Sequence, residues 1–331
     1  MYKVGLIGCG FMGSMHADCY AALRDKVSVV AVADLIPERA ESFSKRFDAT
    51  IYQDAKDLIE NANVDYVDIC LPTYLHCEYA VQAMQKELHV FVEKPLCLSN
   101  EEAEKMLTVQ KETGKIAQVG QVIRFWDEYV WLKEAKESNR YGKLLFATLR
   151  RHSPRPTWAW ENWLHNPKLS GGMAFDMHIH DVDYVRYLFG DPKRVKTGGA
   201  MEAPGLTEYI ATVFEYDDAA AAIDCCWNYP AAFPFSMYFC ARFEKATVVH
   251  NSATGEFMLY KEDGTGEEIH IEKSFEASAS AGGNVSSLGG YYNELEYFLK
   301  RLDDPTLPDI ASLEEGAKTV KLVLNEIAQI K

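Results

Sequence analysis

A short apolar run, Lys3 to Cys9, leads into Gly8-Cys-Gly10-Phe-Met-Gly13 and then directly into a helical pattern. Of all the features in the chain, this one leaves the fewest folds open. A strand that turns on glycines into a helix lets Gly8 make a tight turn, Gly10 bring backbone close to a pyrophosphate, and Gly13 pack helix against strand. The phosphates would sit on the positive helix N-terminus, with Phe11 and Met12 in its first turn. Asp34 closes the next apolar run, 21 residues after Gly13. A carboxylate there accepts hydrogen bonds from ribose hydroxyls and repels a 2′-phosphate, so NAD is expected over NADP. Arg39 follows; it is either a phosphate partner or a solvated first-turn arginine.

The same alternation continues to about residue 120. Val27 to Ala33, Asp65 to Leu71, Leu88 to Val92 and Ile116 to Val119 are apolar runs, with amphipathic segments such as Leu75 to Gln85 and Asn100 to Thr113 between them. Runs apolar on both faces and separated by helices predict a parallel sheet covered on both sides, a doubly wound α/β domain. After Arg124 the pattern changes to a helix over about 127–138, a strand over 143–151 and a helix over about 172–188. Up to six strand-like runs then fall between Arg194 and Ile271, the mark of a mostly antiparallel meander. Ser278 to Gly290 reads as a loop, and helices over about 290–302 and 312–330 finish the chain. The expected domains are 1–122, dinucleotide-binding, and 123–331, an α+β substrate-binding and oligomerisation domain.

Charge narrows the partners. With 34 Lys and Arg against 49 Asp and Glu, the net −15 repels nucleic acid and anionic membranes. No apolar run approaches a membrane span. The eight cysteines show no zinc-knuckle or redox spacing, which suits reduced thiols in a cytoplasm. A small-molecule partner is expected.

Ligands of open parallel sheets bind outside the carboxyl ends of the strands. Leu71-Pro72-Thr73 with His76, and Glu93-Lys94-Pro95, fall at such ends. Thr73 reads equally as a helix N-cap, and His76 as a helix-face residue. Lys94, beside an acid and held by the next proline, is a candidate polarising cation, with a plain surface lysine as the alternative.

Further on, Asp176 and His180 are one turn apart on a predicted helix and share a face. A carboxylate there fixes the imidazole tautomer and raises its basicity, as general acid–base work needs; a purely structural pair is the alternative. His178 points elsewhere. His178, His180 and Asp181, with His152 and His165, do not converge as metal ligands should, and no metal is expected. Trp158, Trp160 and Trp163, with Arg155 and Asn162, either line a sugar-sized pocket or seal a core.

Taken together, the glycine motif with His16, Asp34, Pro72-Thr73 with His76, Glu93-Lys94-Pro95, Asp176-x-x-x-His180 with Asp181, and the Tyr291 to Leu299 segment resemble the glucose-fructose oxidoreductase, inositol dehydrogenase and MocA family. The resemblance covers nearly the whole chain. It implies a Rossmann domain followed by an α+β domain with an open antiparallel sheet, often buried in a homodimer or homotetramer. It also implies that His180 is the acid/base, Asp176 its orienting partner, and Lys94 the contact to substrate oxygen and nicotinamide. Arg124, Arg155 and Trp163 join these three as expected substrate contacts. The family usually has a small residue where this chain has His178. The expected activity is NAD-dependent hydride transfer to or from a secondary alcohol of a cyclitol, sugar or glycoside. A glycoside-processing lyase or hydrolase that recycles bound NAD, and an NAD-sensing regulator, are the alternatives.

Overall fold

The computed structural model describes residues 1–157, 159–278 and 287–330. In chain order the first elements are β1 (Tyr2–Ile7), α1 (Phe11–Ala22), β2 (Val27–Ala33), α2 (Pro37–Phe47), β3 (Thr50–Tyr52), α3 (Ala55–Asn61), β4 (Tyr66–Ile69), α4 (His76–Gln85), β5 (His89–Glu93), α5 (Asn100–Thr113) and β6 (Ala117–Gly120). There follow α6 (Asp127–Glu137), β7 (Leu144–Pro154), α7 (Pro167–Ser170), α8 (Ile179–Phe189), β8 (Arg194–Ala203), β9 (Leu206–Glu215), β10 (Ala220–Tyr229) and β11 (Ser236–Phe243). Last are β12 (Ala246–Asn251), β13 (Glu256–Lys261), β14 (Gly266–Glu268), α9 (Gly289–Asp303) and α10 (Leu313–Gln329).

The helices start and stop where local chemistry directs. Asp54 caps α3 by accepting the Asp57 N–H at 2.8 Å. Ser99 caps α5 by accepting the Glu102 N–H, while the Glu102 carboxylate reaches back to the Leu98 N–H. Gly114, in the left-handed region, ends that helix.

The chain forms two compact units, Met1–Phe125 with Lys273–Lys318, and Trp126–Glu272 with the residues from Thr319 on. The expected single domain over 123–331 therefore differs from these units: α9 and the start of α10 group with the first. Nothing local to that segment signals it, because an amphipathic helix fits either core.

In the first unit β3-β2-β1-β4-β5-β6 form one parallel sheet, as expected. The strand order reverses between β1 and β4, which places a switch point at their carboxyl ends. The buried faces are filled by Val4, Leu6, Ile69, Phe91 and Val92. Phe298 of α9 packs edge-on against Tyr66 and Phe91.

The second unit holds an eight-stranded sheet, β14-β13-β12-β11-β7-β10-β9-β8, antiparallel except where β10 runs parallel to β7. Seven strands, not six, lie between 194 and 271; the extra one, β14, is three exposed residues with no apolar signal. One face is closed by Leu149, Ile210, Phe214, Ile223 and Phe239, all buried. The other presents Phe146, Tyr209, Val213 and Tyr260, each exposed. Pairing of Thr247 with Tyr260 and of Cys226 with Tyr209 keeps these residues on one side. The expected loop over Ser278 to Gly290 lies largely outside the described residues.

Candidate active site

At the rim of the parallel sheet, two glycines do what no other residue can. Gly8 has φ +92°, and a Cβ on it would approach the Cys70 carbonyl oxygen to 2.6 Å. A Cβ on Gly13 would stand 2.0 Å from the Gly8 carbonyl oxygen, so the helix can close on the turn only without a side chain. Gly10 leads into α1, whose first turn carries no side-chain cap and no acid. That end, with Phe11 and Met12 half-buried in it, keeps its positive dipole for an anion.

Asp34 braces the same turn: its carboxylate accepts the Cys9 N–H at 2.7 Å and the Ile36 N–H at 2.8 Å. The Arg39 guanidinium comes within 3.7 Å of where a side chain on Gly10 would begin. These residues fit a dinucleotide: a cradle free of side chains, an uncapped helix end, and a carboxylate beside the loop at the end of β2.

Leu71, Pro72 and Thr73 follow β4, next to the switch point. Thr73 is buried and opens a short 3-10 turn, whereas α4 starts at His76 with no side-chain cap, so Thr73 is not an N-cap. His76 is also buried. Its ring nitrogens lie 2.7 Å from the Pro95 carbonyl oxygen and 2.8 Å from that of Leu71. Burial lowers its pKa, and a neutral ring donates to one of these acceptors at a time. His76 thus ties the loops after β4 and β5 together.

Glu93 ends β5, and its Oε2 accepts the Lys94 main-chain N–H at 3.0 Å. Lys94 itself is half-buried. Arg124, expected at the substrate, is buried within its own unit; it donates to the Ile310 carbonyl and lies 3.6 Å from the Glu315 carboxylate.

In the second unit the Asp176 turn is not plain α-helix. Ala174–His178 is a π turn that runs into α8. Such turns are rare and recur at functional sites. Between Gly172 and Arg186 every residue is buried except Asp176 and His180, which emerge one turn apart.

Their neighbours are engaged in the interior. Asp181 takes two bonds from Arg151, at 2.9 and 3.2 Å. Asp183 accepts from the Thr319 hydroxyl, and Thr319 in turn accepts from Arg186. His178 is paired with Glu326. The other two histidines of this region have separate partners: His152 contacts Asp224, and His165 contacts the Pro156 carbonyl.

Arg155 pairs with Glu202 and Glu208, both at 2.7 Å. Trp163 packs on the cluster of Leu164, Met173, Met177 and Trp227, closer to the core-sealing alternative; Trp160 is exposed. Trp158 lies outside the described residues.

Sequence reasoning missed one cluster, His16 with Asp68, Cys70 and Glu294, all in the first unit. The signal was present in Asp68, an acid within a strand apolar on both faces.

A glycine-turned βα unit at the switch point of a parallel sheet, joined to a second unit built on a large open sheet, defines a dinucleotide-binding class. Residues 2–121 match the model for an oxidoreductase family with an NAD-binding Rossmann fold, and residues 129–249 match the GFO/IDH/MocA C-terminal domain. The chain belongs to the GFO/IDH/MocA family.

It is 33% identical over 192 residues to a myo-inositol 2-dehydrogenase of Thermotoga maritima, covering 57% of this chain and 55% of that protein. It is 30% identical over 228 residues to a scyllo-inositol 2-dehydrogenase (NAD(+)) of Bacillus subtilis, covering 66% of this chain and 65% of that protein. The chain thus spans between about half and two thirds of the length of the curated relatives it matches. A solved levoglucosan dehydrogenase, in complex with NADH and levoglucosan, shares the fold with a TM-score of 0.85 at 20% identity, covering 99% of this chain and 97% of that one. No helix among the described residues is long and apolar enough to cross a membrane.

Proposed function

We propose that the chain is an NAD-dependent oxidoreductase that interconverts a secondary alcohol and a ketone on a cyclitol, sugar or glycoside. The observation that carries this reading is the emergence of Asp176 and His180, alone between Gly172 and Arg186, on one face of the helix. The inositol dehydrogenases among its relatives support the substrate class.

Gly8, Gly10, Gly13 and the first turn of α1 would hold the pyrophosphate of NAD, and Asp34 its adenosine ribose. Bound there, NAD supplies the carbon that takes or returns a hydride. In the oxidation direction His180 takes the substrate hydroxyl proton, and Asp176 keeps the ring in the accepting tautomer. Lys94 places a positive charge where the oxygen becomes an alkoxide. For reduction the proton moves the other way. The preference for NAD over NADP rests on the Asp34 charge.

The open face of the eight-stranded sheet supports a homo-oligomer. Phe146, Tyr209, Val213 and Tyr260 form an apolar surface that a second copy would cover in a dimer or tetramer.

The test is a panel of inositols, aldoses and glycosides incubated with NAD and followed by NADH absorbance, alongside release of bound nucleotide by denaturation. Stoichiometric NADH from at least one cyclitol or sugar is expected. Glycoside cleavage with tightly bound NAD and no net NADH would overturn the dehydrogenase reading in favour of a recycling lyase or hydrolase.

A further inference from the structure

Directly beneath the loop that carries Lys94 lies a buried charge relay. His16 of α1 is fully buried. Its Nδ1 bonds the Asp68 carboxylate at 2.8 Å, with the Cys70 sulfur at 3.3 Å on the same side. Its Nε2 stands 3.0 Å from Glu93 Oε1, within ion-pair range but without hydrogen-bond geometry. The other oxygen of Glu93 accepts the main-chain N–H of Lys94.

Asp68 is fixed in turn by the Tyr20 hydroxyl at 2.8 Å. The Phe91 ring meets the imidazole edge-on, and from α9 the Glu294 carboxylate and the Tyr291 ring close the site. Carboxylates beside both ring nitrogens favour the imidazolium. Burial works against that charge, but Asp68 and Cys70 together outweigh it and raise the His16 pKa well above its ordinary value.

We infer that His16 is a positioning residue for Lys94: clamped between Asp68 and Glu93, it fixes the Glu93 carboxylate, which fixes the backbone from which the Lys94 ammonium extends. This rests on the reading of Lys94 as the residue that meets the substrate oxygen. The far side of this loop is held by His76 at the Pro95 carbonyl and the near side by Glu93 at the Lys94 N–H, and a displacement of about 1 Å in a charge aimed at a developing alkoxide can cost on the order of a hundredfold in rate.

The experiment follows acetylation of Lys94 by acetic anhydride, read by peptide mass spectrometry against exposed Lys56. It compares the full-length protein with His16→Gln, Glu93→Gln and the double variant. In the same proteins NAD affinity is measured by calorimetry, and kcat and KM with the best-oxidised member of the inositol and sugar panel.

Each single variant should change the Lys94 acetylation rate by about threefold or more and lower kcat by about tenfold or more, with KM and NAD affinity little changed. The double variant should be no worse than the poorer single one, because both residues act along one path. Unchanged Lys94 acetylation in Glu93→Gln, or effects that multiply in the double variant, overturns the relay. Should His16→Gln not fold, Glu93→Gln decides by itself, since it is isosteric and leaves His16 and its bond to Asp68 in place. Failure of the underlying reading looks different: Lys94→Ala would turn over like wild type while Glu93→Gln still altered acetylation.

Discussion

His178 Nε2 lies 3.0 Å from Glu326 Oε1, and both side chains are wholly buried. The histidine two residues before His180 therefore serves as a strut between the start of α8 and α10. Removing one partner leaves the other buried without its hydrogen bond, which costs about 1–3 kcal/mol. His178→Ala should lower unfolding free energy in urea by about that amount while folded molecules keep their turnover. A variant of wild-type stability that has lost turnover would assign His178 to the chemistry instead.

His180→Ala should lower turnover by roughly 10²- to 10⁴-fold, the range of general acid–base catalysis, with NAD affinity nearly unchanged. Asp176→Asn keeps the shape but mis-sets the imidazole, giving a smaller loss and a displaced pH profile. Steady-state rates across pH, paired with calorimetric NAD titration, check both. An active His180→Ala enzyme would remove the proposed acid/base.

Asp34→Asn retains an acceptor oxygen but not the charge. NADP affinity should rise towards that of NAD, because the repulsion of a 2′-phosphate is gone. Direct titration with both nucleotides measures the ratio. If wild type already binds NADP as tightly as NAD, Arg39 governs the choice and not Asp34.

Much of this rim could be read from the chain because its constraints are local. Gly8 and Gly13 answer to contacts within one strand, turn and helix, and Asp34 sits at a fixed distance beyond them. The large sheet was harder, because β9 is apolar on both faces. Ile210 and Phe214 fill the covered side, while Tyr209 and Val213, equally apolar, lie open. Alternation states which residues share a face and is silent on which face is covered. The roles of His76 and His16 are not legible for another reason: their partners, Pro95 and Glu93, are brought to them by strand order and not by spacing.

The open face gives its own test. Val213→Lys, with 44% of Val213 exposed, should leave the fold intact and place a charge in the proposed contact between copies. Light scattering at micromolar concentration should show a multiple of 37.4 kDa for wild type and a smaller mass for the variant. A wild-type monomer would sink the proposal.

Stability should also depend on pH through Glu294. Burial, and then the nearby Glu93 charge, raise its pKa well above the ordinary value of 4.5. The folded chain therefore holds a proton that the unfolded chain releases above pH 4.5, and stability falls as pH rises through that window. His16 adds loss of the same sign above its unfolded value of 6.5, continuing through its raised folded pKa. Glu294→Gln should flatten the curve of urea-unfolding free energy between about pH 4.5 and 6.5 and leave the decline above it. An unaltered slope in the lower window would show that Glu294 ionises normally.

The chain leaves its first unit at Phe125 and re-enters it at Lys273. During synthesis the parallel sheet emerges first, yet α9, whose Phe298 packs against Tyr66 and Phe91, is made only after all of Trp126–Glu272. At about 5–20 residues per second the nascent sheet waits roughly ten seconds or more with that aromatic surface bare. A message truncated between Phe125 and Gly289 would yield a product with the glycine turn in place and a sticky flank, fit for chaperone capture and prone to aggregate.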